Sequence, residues 1–289
     1  MAVREIQAKT LLTRVNWRDA WFGMTVNMNL YRGCQHQCIY CDTRSECYQV
    51  DTFSEDVLVK ANAITLLRNE LTHRRIKGII GTGSMNDPYM PLEADYRLTR
   101  RAIETIAEFG FGVHITTKSA LVRRDIDLLQ AIGPLRASVL MTITTADDVL
   151  GSVLEPGASL VSERFTALAD LAAHGITTGV ALMPVLPFIE DNAANVTAII
   201  NRAAQAGVGY LIHALGMTLR DRQRVYYYQQ LDRSFPGLRQ RYESLYGGAY
   251  FCPCQHASVL EQLITELCEK HSLTMRACRE PEPAQFSLL

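Results

Sequence analysis

The amino-acid sequence predicts an α/β protein built on a parallel sheet, with a helical extension at its C-terminus. Three observations carry the prediction. Short β-branched runs alternate with longer amphipathic stretches between residues 25 and 218, the pattern of right-handed βαβ units. There are six such runs, too few to close a regular eight-stranded barrel, so the sheet is either open and doubly wound or a partial, curved barrel. From Leu219 onward the alternation stops. In both arrangements ligands lie outside the C-terminal ends of the strands, so the residues just after each strand are the ones to read.

The first strand-like run, 25–30, leads through a cysteine-rich loop to a helix-like stretch at about 54–73. The run 77–81 precedes a helix at 95–109, where Ile103, Ile106, Ala107 and Gly110 recur at spacings of three and four. Next come strand 112–117 with helix 122–131, strand 137–143 with helix 159–174, and strand 176–182 with helix 191–205. Strand 209–214 ends the series. The division that follows is an N-terminal extension over 1–24, an α/β domain over 25–218, and a C-terminal extension over 219–289.

The chain has 289 residues, 48% hydrophobic and 20% charged; a chain of that size buries roughly 75% of its unfolded surface. Disorder, a collagen-like fibre and a disulfide-stapled miniprotein are excluded. A net charge of −1 does not point to a polyanionic partner. The charged N-terminus has no apolar run of signal-peptide length, and no stretch reaches about 18 uninterrupted apolar residues, so the expectation is a cytoplasmic protein without a membrane segment.

Eight cysteines fall into two groups: Cys34, Cys38, Cys41 and Cys47 near the N-terminus, and Cys252, Cys254, Cys268 and Cys278 near the C-terminus. Clustered cysteines without a secretory signal point to metal or redox chemistry before disulfides. Cys34, Cys38 and Cys41 form C-x3-C-x2-C, with Tyr40 directly before the third. Three thiolates on one loop can bind three irons of a [4Fe–4S] cluster and leave the fourth open. Zinc usually asks for four ligands in C-x2-C pairs. The competing readings are three structural thiols and a zinc loop that recruits His36.

This motif resembles that of the radical S-adenosylmethionine (SAM) superfamily, whose signature has the same spacing and an aromatic residue at the position of Tyr40. The resemblance implies a partial (β/α)6 barrel and a [4Fe–4S] cluster held by Cys34, Cys38 and Cys41. It also implies SAM chelated at the open iron and cleaved to a 5′-deoxyadenosyl radical, and a reducing partner such as flavodoxin or ferredoxin. The cofactor positions it suggests are the Gly-rich segment Gly81, Thr82, Gly83 and Ser84, for the methionyl amino group, and Lys118, whose ammonium suits a carboxylate. Thr142 suits ribose oxygens, Met183 an apolar wall for adenine, and Arg164 follows Glu155-Pro156 as in the family pattern. Ordinary structural roles stand beside each: a tight turn, a β-forming threonine, a core strand, a solvated arginine.

The order of Gly33-Cys34 through Cys41, Asn86-Asp87-Pro88-Tyr89, Thr117-Lys118-Ser119, Leu154-Glu155-Pro156 and Met183-Pro184-Val185 resembles the spore photoproduct lyase-like branch. Members that carry out the named reaction have a hydrogen-donating cysteine after the second strand; the nearest match here is Ser84, whose O–H bond is too strong for that role. Thymine-dimer repair is not assigned.

Between Leu219 and Tyr246 lie six arginines and five tyrosines, a composition that suits nucleic acid but also amphipathic helices that close one side of the domain. Beyond them, Cys252, Cys254, Cys268 and Cys278 are candidates for a second iron–sulfur cluster, and Cys252 and Cys254 for a hydrogen donor; buried inert thiols are the plain alternative. The functional expectation is a radical SAM enzyme that abstracts hydrogen from a substrate, with nucleic acid slightly favoured. The alternative is a non-catalytic iron–sulfur or zinc module that accompanies nucleic acid.

Overall fold

The chain begins with β1 (Ala2–Ile6) and β2 (Leu12–Arg14), followed by β3 (Met24–Met28), β4 (Tyr31–Arg32) and β5 (Asp56–Lys60). The computed structural model describes residues 1–15, 22–50, 56–134 and 136–276. Five βα repeats follow from there: α1 (Ala63–Thr72), β6 (Ile79–Thr82), α2 (Glu93–Tyr96), α3 (Leu98–Glu108), β7 (Gly112–Thr117), α4 (Ile126–Ile132), β8 (Ala137–Thr142), α5 (Asp148–Leu154), α6 (Val161–Ala173), β9 (Thr177–Leu182), α7 (Ala193–Gln205) and β10 (Tyr210–His213). The C-terminal part holds β11 (Gly216–Thr218), α8 (Asp221–Ser234), α9 (Leu238–Tyr246), β12 (Phe251–Pro253) and α10 (Ala257–Lys270).

Among the described residues the main sheet has the order β10-β9-β8-β7-β6-β3-β2. Its six chain-ordered strands β3 and β6 to β10 are parallel. This is the partial barrel the sequence implied, left open. An addition is β2, which pairs antiparallel with β3 at the edge.

Strand alternation separates two faces. Val26, Met28, Ile80, Val113, Ile115, Val139, Met141, Val180 and Leu182 are at most 1% exposed and pack beneath Leu67, Ile103, Ile106, Leu129, Leu168 and Ile199 of the helices. Each such side chain contributes about 1.5–3 kcal/mol on burial. On the opposite face Phe22 stacks on His114, 4.2 Å between ring centroids, and His114 Nδ1 lies 2.8 Å from Ser138 Oγ. Burial pushes the His114 imidazole down to about 3, so it is neutral at physiological pH.

One expectation fails clearly. The stretch 54–73 is not one helix: its first part is β5, which pairs in parallel with β1 and antiparallel with β4. Asp56-Val57-Leu58-Val59-Lys60 carries the β-branched Val57 and Val59, and its partners lie at the far N-terminus and beside the cysteine loop, contacts that local periodicity does not contain. The predicted helix 122–131 likewise begins as a 3-10 helix over Ala120–Asp125. The C-terminal extension is not wholly helical, because β12 pairs antiparallel with β11 and sets Cys252 opposite Met217.

Candidate functional site

The cysteine loop leaves the sheet region through Gly33, whose φ is +84°. A Cβ there would stand 2.4 Å from the Asp56 carbonyl oxygen, so only glycine lets the chain cross β5. The Ile39 amide donates to the Leu154 carbonyl at 2.9 Å, and the Gly157 amide to the His36 carbonyl at 2.9 Å. The loop is thereby fastened to the segment after β8. Cys34 and Cys38 are buried and Cys41 half-buried, and each lies within electrostatic reach of the others. Burial pushes the Cys34 thiol up to about 12, with Asp87 adding to the rise. Burial also raises Cys38, against the pull of the Lys118 ammonium.

Beside the loop lies a buried network. The Tyr40 hydroxyl donates to Glu155, and Glu155 pairs with Arg164 at 2.5 Å, their side chains 2% and 1% exposed. Arg164 also donates to the Thr142 carbonyl at 3.0 Å and the Ser159 carbonyl at 2.9 Å. The solvated helix-face reading of Arg164 is therefore wrong: it is a fully enclosed cation that ties β8 to the segment carrying Glu155. Lys118 stands over the Tyr40 ring, 5.7 Å from its centroid. Its ammonium is lowered by burial, but Cys38, Glu155 and Asp87 more than offset this and hold it up to about 12.

Asp87, which the sequence suggested only as part of a family pattern, joins the strand ends. It accepts from the Thr117 hydroxyl at 2.7 Å, the Lys118 amide at 2.6 Å and the Tyr89 amide at 2.9 Å. His36 Nδ1 faces it at 3.3 Å. Burial would raise the Asp87 carboxyl, but His36, Thr117 and Lys118 bring it down to about 2. His36 is thus turned toward a carboxylate rather than joining the cysteines as a ligand. Among the described residues no three histidine, cysteine or carboxylate side chains converge on a single ion.

At the end of β6, Thr82 is buried. Gly81 and Gly83 have internal reasons to be glycine: a Cβ would meet Met24 Sδ at 1.8 Å and the Thr116 carbonyl oxygen at 2.0 Å, respectively. Ser84 is exposed and accepts from Asn27 Nδ2 at 2.8 Å. Thr142 is buried, and Met183 packs with Leu140, Ala181, Tyr210 and Ile212. Among the described residues, the buried amide oxygens Asn27 Oδ1 and Asn29 Oδ1 at these strand ends lack a partner, whereas the Thr144 hydroxyl faces Glu190.

Glu190 gave no signal in the sequence. It is fully buried behind Tyr40 and Tyr227 and receives the Leu186 amide at 3.0 Å. Burial pushes its carboxyl from the ordinary 4.5 up to about 8, with the charges of Glu155 and Asp191 adding to the rise. Between those two pH values the native state holds a proton that the unfolded state has lost, so the stability Glu190 supports is complete below pH 4.5 and is lost as pH rises toward 8. Glu190→Gln keeps the acceptor for Leu186 without the ionisation. The variant is expected to flatten the fall in melting temperature between about pH 5 and pH 8, measured by thermal denaturation; an unchanged slope contradicts this.

The C-terminal arginines and tyrosines resolve into packing. Arg220 forms a two-point pair with Asp42, at 3.0 and 2.7 Å. Arg222 donates to the Arg44 carbonyl at 2.6 Å, Gln223 to the Tyr40 carbonyl at 3.2 Å, and Asp221 accepts from Ser45 at 2.7 Å. Arg224 caps the Gly247 and Ala249 carbonyls, and Arg239 pairs with Asp232 and Glu243. Tyr227, Tyr228 and Tyr242 are buried in one apolar cluster with Cys38, Ile39, Tyr40 and Cys252. Three of the five tyrosines that suited base stacking are therefore in the interior, Tyr226 and Tyr246 being half-buried, and the start of α8 is a clasp on residues 40–50.

The C-terminal cysteines divide. Cys252, within β12, faces that same cluster, whereas Cys254, just past the strand, and Cys268 of α10 belong to the main core. Cys254 Sγ lies 3.6 Å from the Val185 carbonyl, and burial pushes Cys252 up to about 11 and Cys254 up to about 12. The three do not meet as a second cluster would require; Cys278 lies outside the described residues.

Comparison with known proteins agrees with this architecture. Residues 28–200, more than half of the chain, match the radical SAM superfamily, and the chain belongs to it. It is a radical SAM enzyme; members of this family generally use SAM and a [4Fe–4S] cluster and draw on a reductant. An uncharacterized protein of Mycobacterium tuberculosis is 30% identical over 279 residues, 93% of this chain and 81% of that protein. A radical SAM Nα-GlyT isomerase of Pseudomonas phage M6 is 26% identical over 156 residues, 54% of this chain and 32% of the isomerase. The fold matches a solved spore photoproduct lyase complexed with a dinucleoside spore photoproduct, with a TM-score of 0.68 at 16% identity over 93% of this chain and 79% of that one. No described helix is long and apolar enough to cross a membrane.

Proposed function

We propose that Cys34, Cys38 and Cys41 bind a [4Fe–4S] cluster through three of its irons, and that SAM occupies the adjoining strand ends. The observation that supports this most is the placement of the three thiols. They share one enclosed loop, within electrostatic reach of one another and of the cations Lys118 and Arg44. Three thiolates on one loop can each bind a different iron of a cluster, and the cations compensate the negative charge that thiolates bring into a buried site. When bound, the cluster and SAM supply reductive cleavage to a 5′-deoxyadenosyl radical, which removes a hydrogen atom from the substrate.

The residues around the loop have definable tasks in this reading. Lys118, at the end of β7, offers its ammonium to a carboxylate. The Gly81–Ser84 turn presents backbone at the end of β6, and Thr142 and Met183 border the ends of β8 and β9. Arg164 acts behind them, through Glu155 and Tyr40, and keeps the aromatic ring beside Cys41 in place. The Asn27 and Asn29 oxygens, without a partner among the described residues, offer hydrogen-bonding capacity toward ligands at the same edge. The reaction includes no return of hydrogen from position 84, because Ser84 has no thiol.

The test is anaerobic reconstitution with iron and sulfide, reduction with dithionite, and incubation with SAM. Formation of 5′-deoxyadenosine and methionine above a protein-free control is expected. A loaded, reducible cluster that leaves SAM intact would instead support the non-catalytic module.

A further inference from the structure

One buried cation beside the cysteine loop was given no role of its own in the reading above. Arg44 follows Cys41 by three residues and is 4% exposed. Its Nη2 donates to Gln37 Oε1 at 2.8 Å, and Gln37 Nε2 donates on to the Cys34 carbonyl at 2.6 Å. The Arg44 amide donates to the Cys41 carbonyl at 3.3 Å. Two side chains and one amide thus span the loop from its first cysteine to its third. The guanidinium is pressed against the Tyr226 ring of α8, 3.6 Å from its centroid, and lies within electrostatic reach of Cys34, Cys38 and Cys41 together. A guanidinium stays protonated at any working pH, so this is a fixed positive charge in a site shielded from water.

We propose that Arg44 is a positioning residue that sets the reduction potential of the cluster, its charge held at the cysteine loop by Gln37 and by Tyr226 from the C-terminal helix. The proposal rests on the cluster reading given above. One-electron reduction, with the electron supplied by an external reductant, adds one negative charge to the cluster. A buried cation beside the ligands favours the more negative, reduced state. It also gives the clasp formed by α8 a function: residues 220–226 hold the loop and, through Tyr226, the charge.

The experiment is a potentiometric titration of the reconstituted protein, poised with dithionite and mediator dyes and read by electron paramagnetic resonance, with iron counted in each sample. Arg44→Gln removes the charge. Gln37→Glu neutralises it in place, and Arg44→Lys keeps it. Both neutralising variants are expected to lower the reduced-to-oxidised ratio at fixed potential at least tenfold, a midpoint lower by about 59 mV for one electron, and Arg44→Lys to stay near the wild type. A loaded Arg44→Gln or Gln37→Glu cluster with the wild-type midpoint overturns the proposal. Should both neutralising variants lose their iron while Arg44→Lys remains loaded, the proposal is overturned in favour of a role of the charge in holding the cluster. Loss of iron in all three overturns it in favour of a role in shape alone. Failure of the cluster reading itself looks different: full iron in a Cys38→Ala protein.

Discussion

Alanine at Cys38 is expected to abolish cofactor cleavage: 5′-deoxyadenosine should fall to the level of a protein-free control, and the iron bound after anaerobic reconstitution should fall with it. Cys34→Ala and Cys41→Ala should behave alike, because a cluster bound through three irons has no spare protein ligand to substitute. Cys47 provides the internal comparison. It is exposed, lies six residues beyond Cys41 and outside the motif spacing, and its replacement by alanine is expected to retain most of the iron and most of the cleavage. Iron analysis and product chromatography on the four variants decide the matter; full activity in Cys38→Ala removes the basis of the whole site.

The second large effect concerns stability. Glu155→Gln is expected to cost about 3–5 kcal/mol, because it leaves the Arg164 guanidinium buried without a counter-charge. Arg164→Met should cost a similar amount from the other side, since Glu155 would keep only Tyr40 and the nearby Lys118 charge. Combining the two should cost clearly less than the sum of the single changes, as neither charge then remains uncompensated. Urea denaturation of the apoprotein measures all three. Single-variant losses below about 1 kcal/mol would show that the pair is not the enclosed ion pair its burial indicates.

Motif and alternation were readable because both are local. The spacing of Cys34, Cys38 and Cys41 and the residue before the third need no knowledge of what lies across the chain. The same holds for the βα alternation, since a strand buried on one side and a helix with one apolar stripe both write their period into neighbouring residues. Glu155-Pro156 and Arg164 were visible as a pattern, but not as a pair: whether Arg164 lies in water or in the core depends on the carboxylate it meets.

Where the reading went astray, a distant partner decided. Residues 56–60 form a strand because β1 and β4 offer them hydrogen bonds. Tyr227, Tyr228 and Tyr242 of α8 and α9 are interior because Leu186, Leu219 and the Cys38–Tyr40 segment cover them. Asp42, Arg44 and Ser45 were silent, and their partners Arg220, Tyr226 and Asp221 lie more than 170 residues away. By itself, then, the sequence determined the parallel architecture, the class of chemistry and the three candidate cluster ligands. Only the tertiary structure decided which charges are enclosed, which cysteines share a cluster and which partners the C-terminal arginines meet. Burial and electrostatic pairing depend on distances through space, which residue spacing along the chain does not encode.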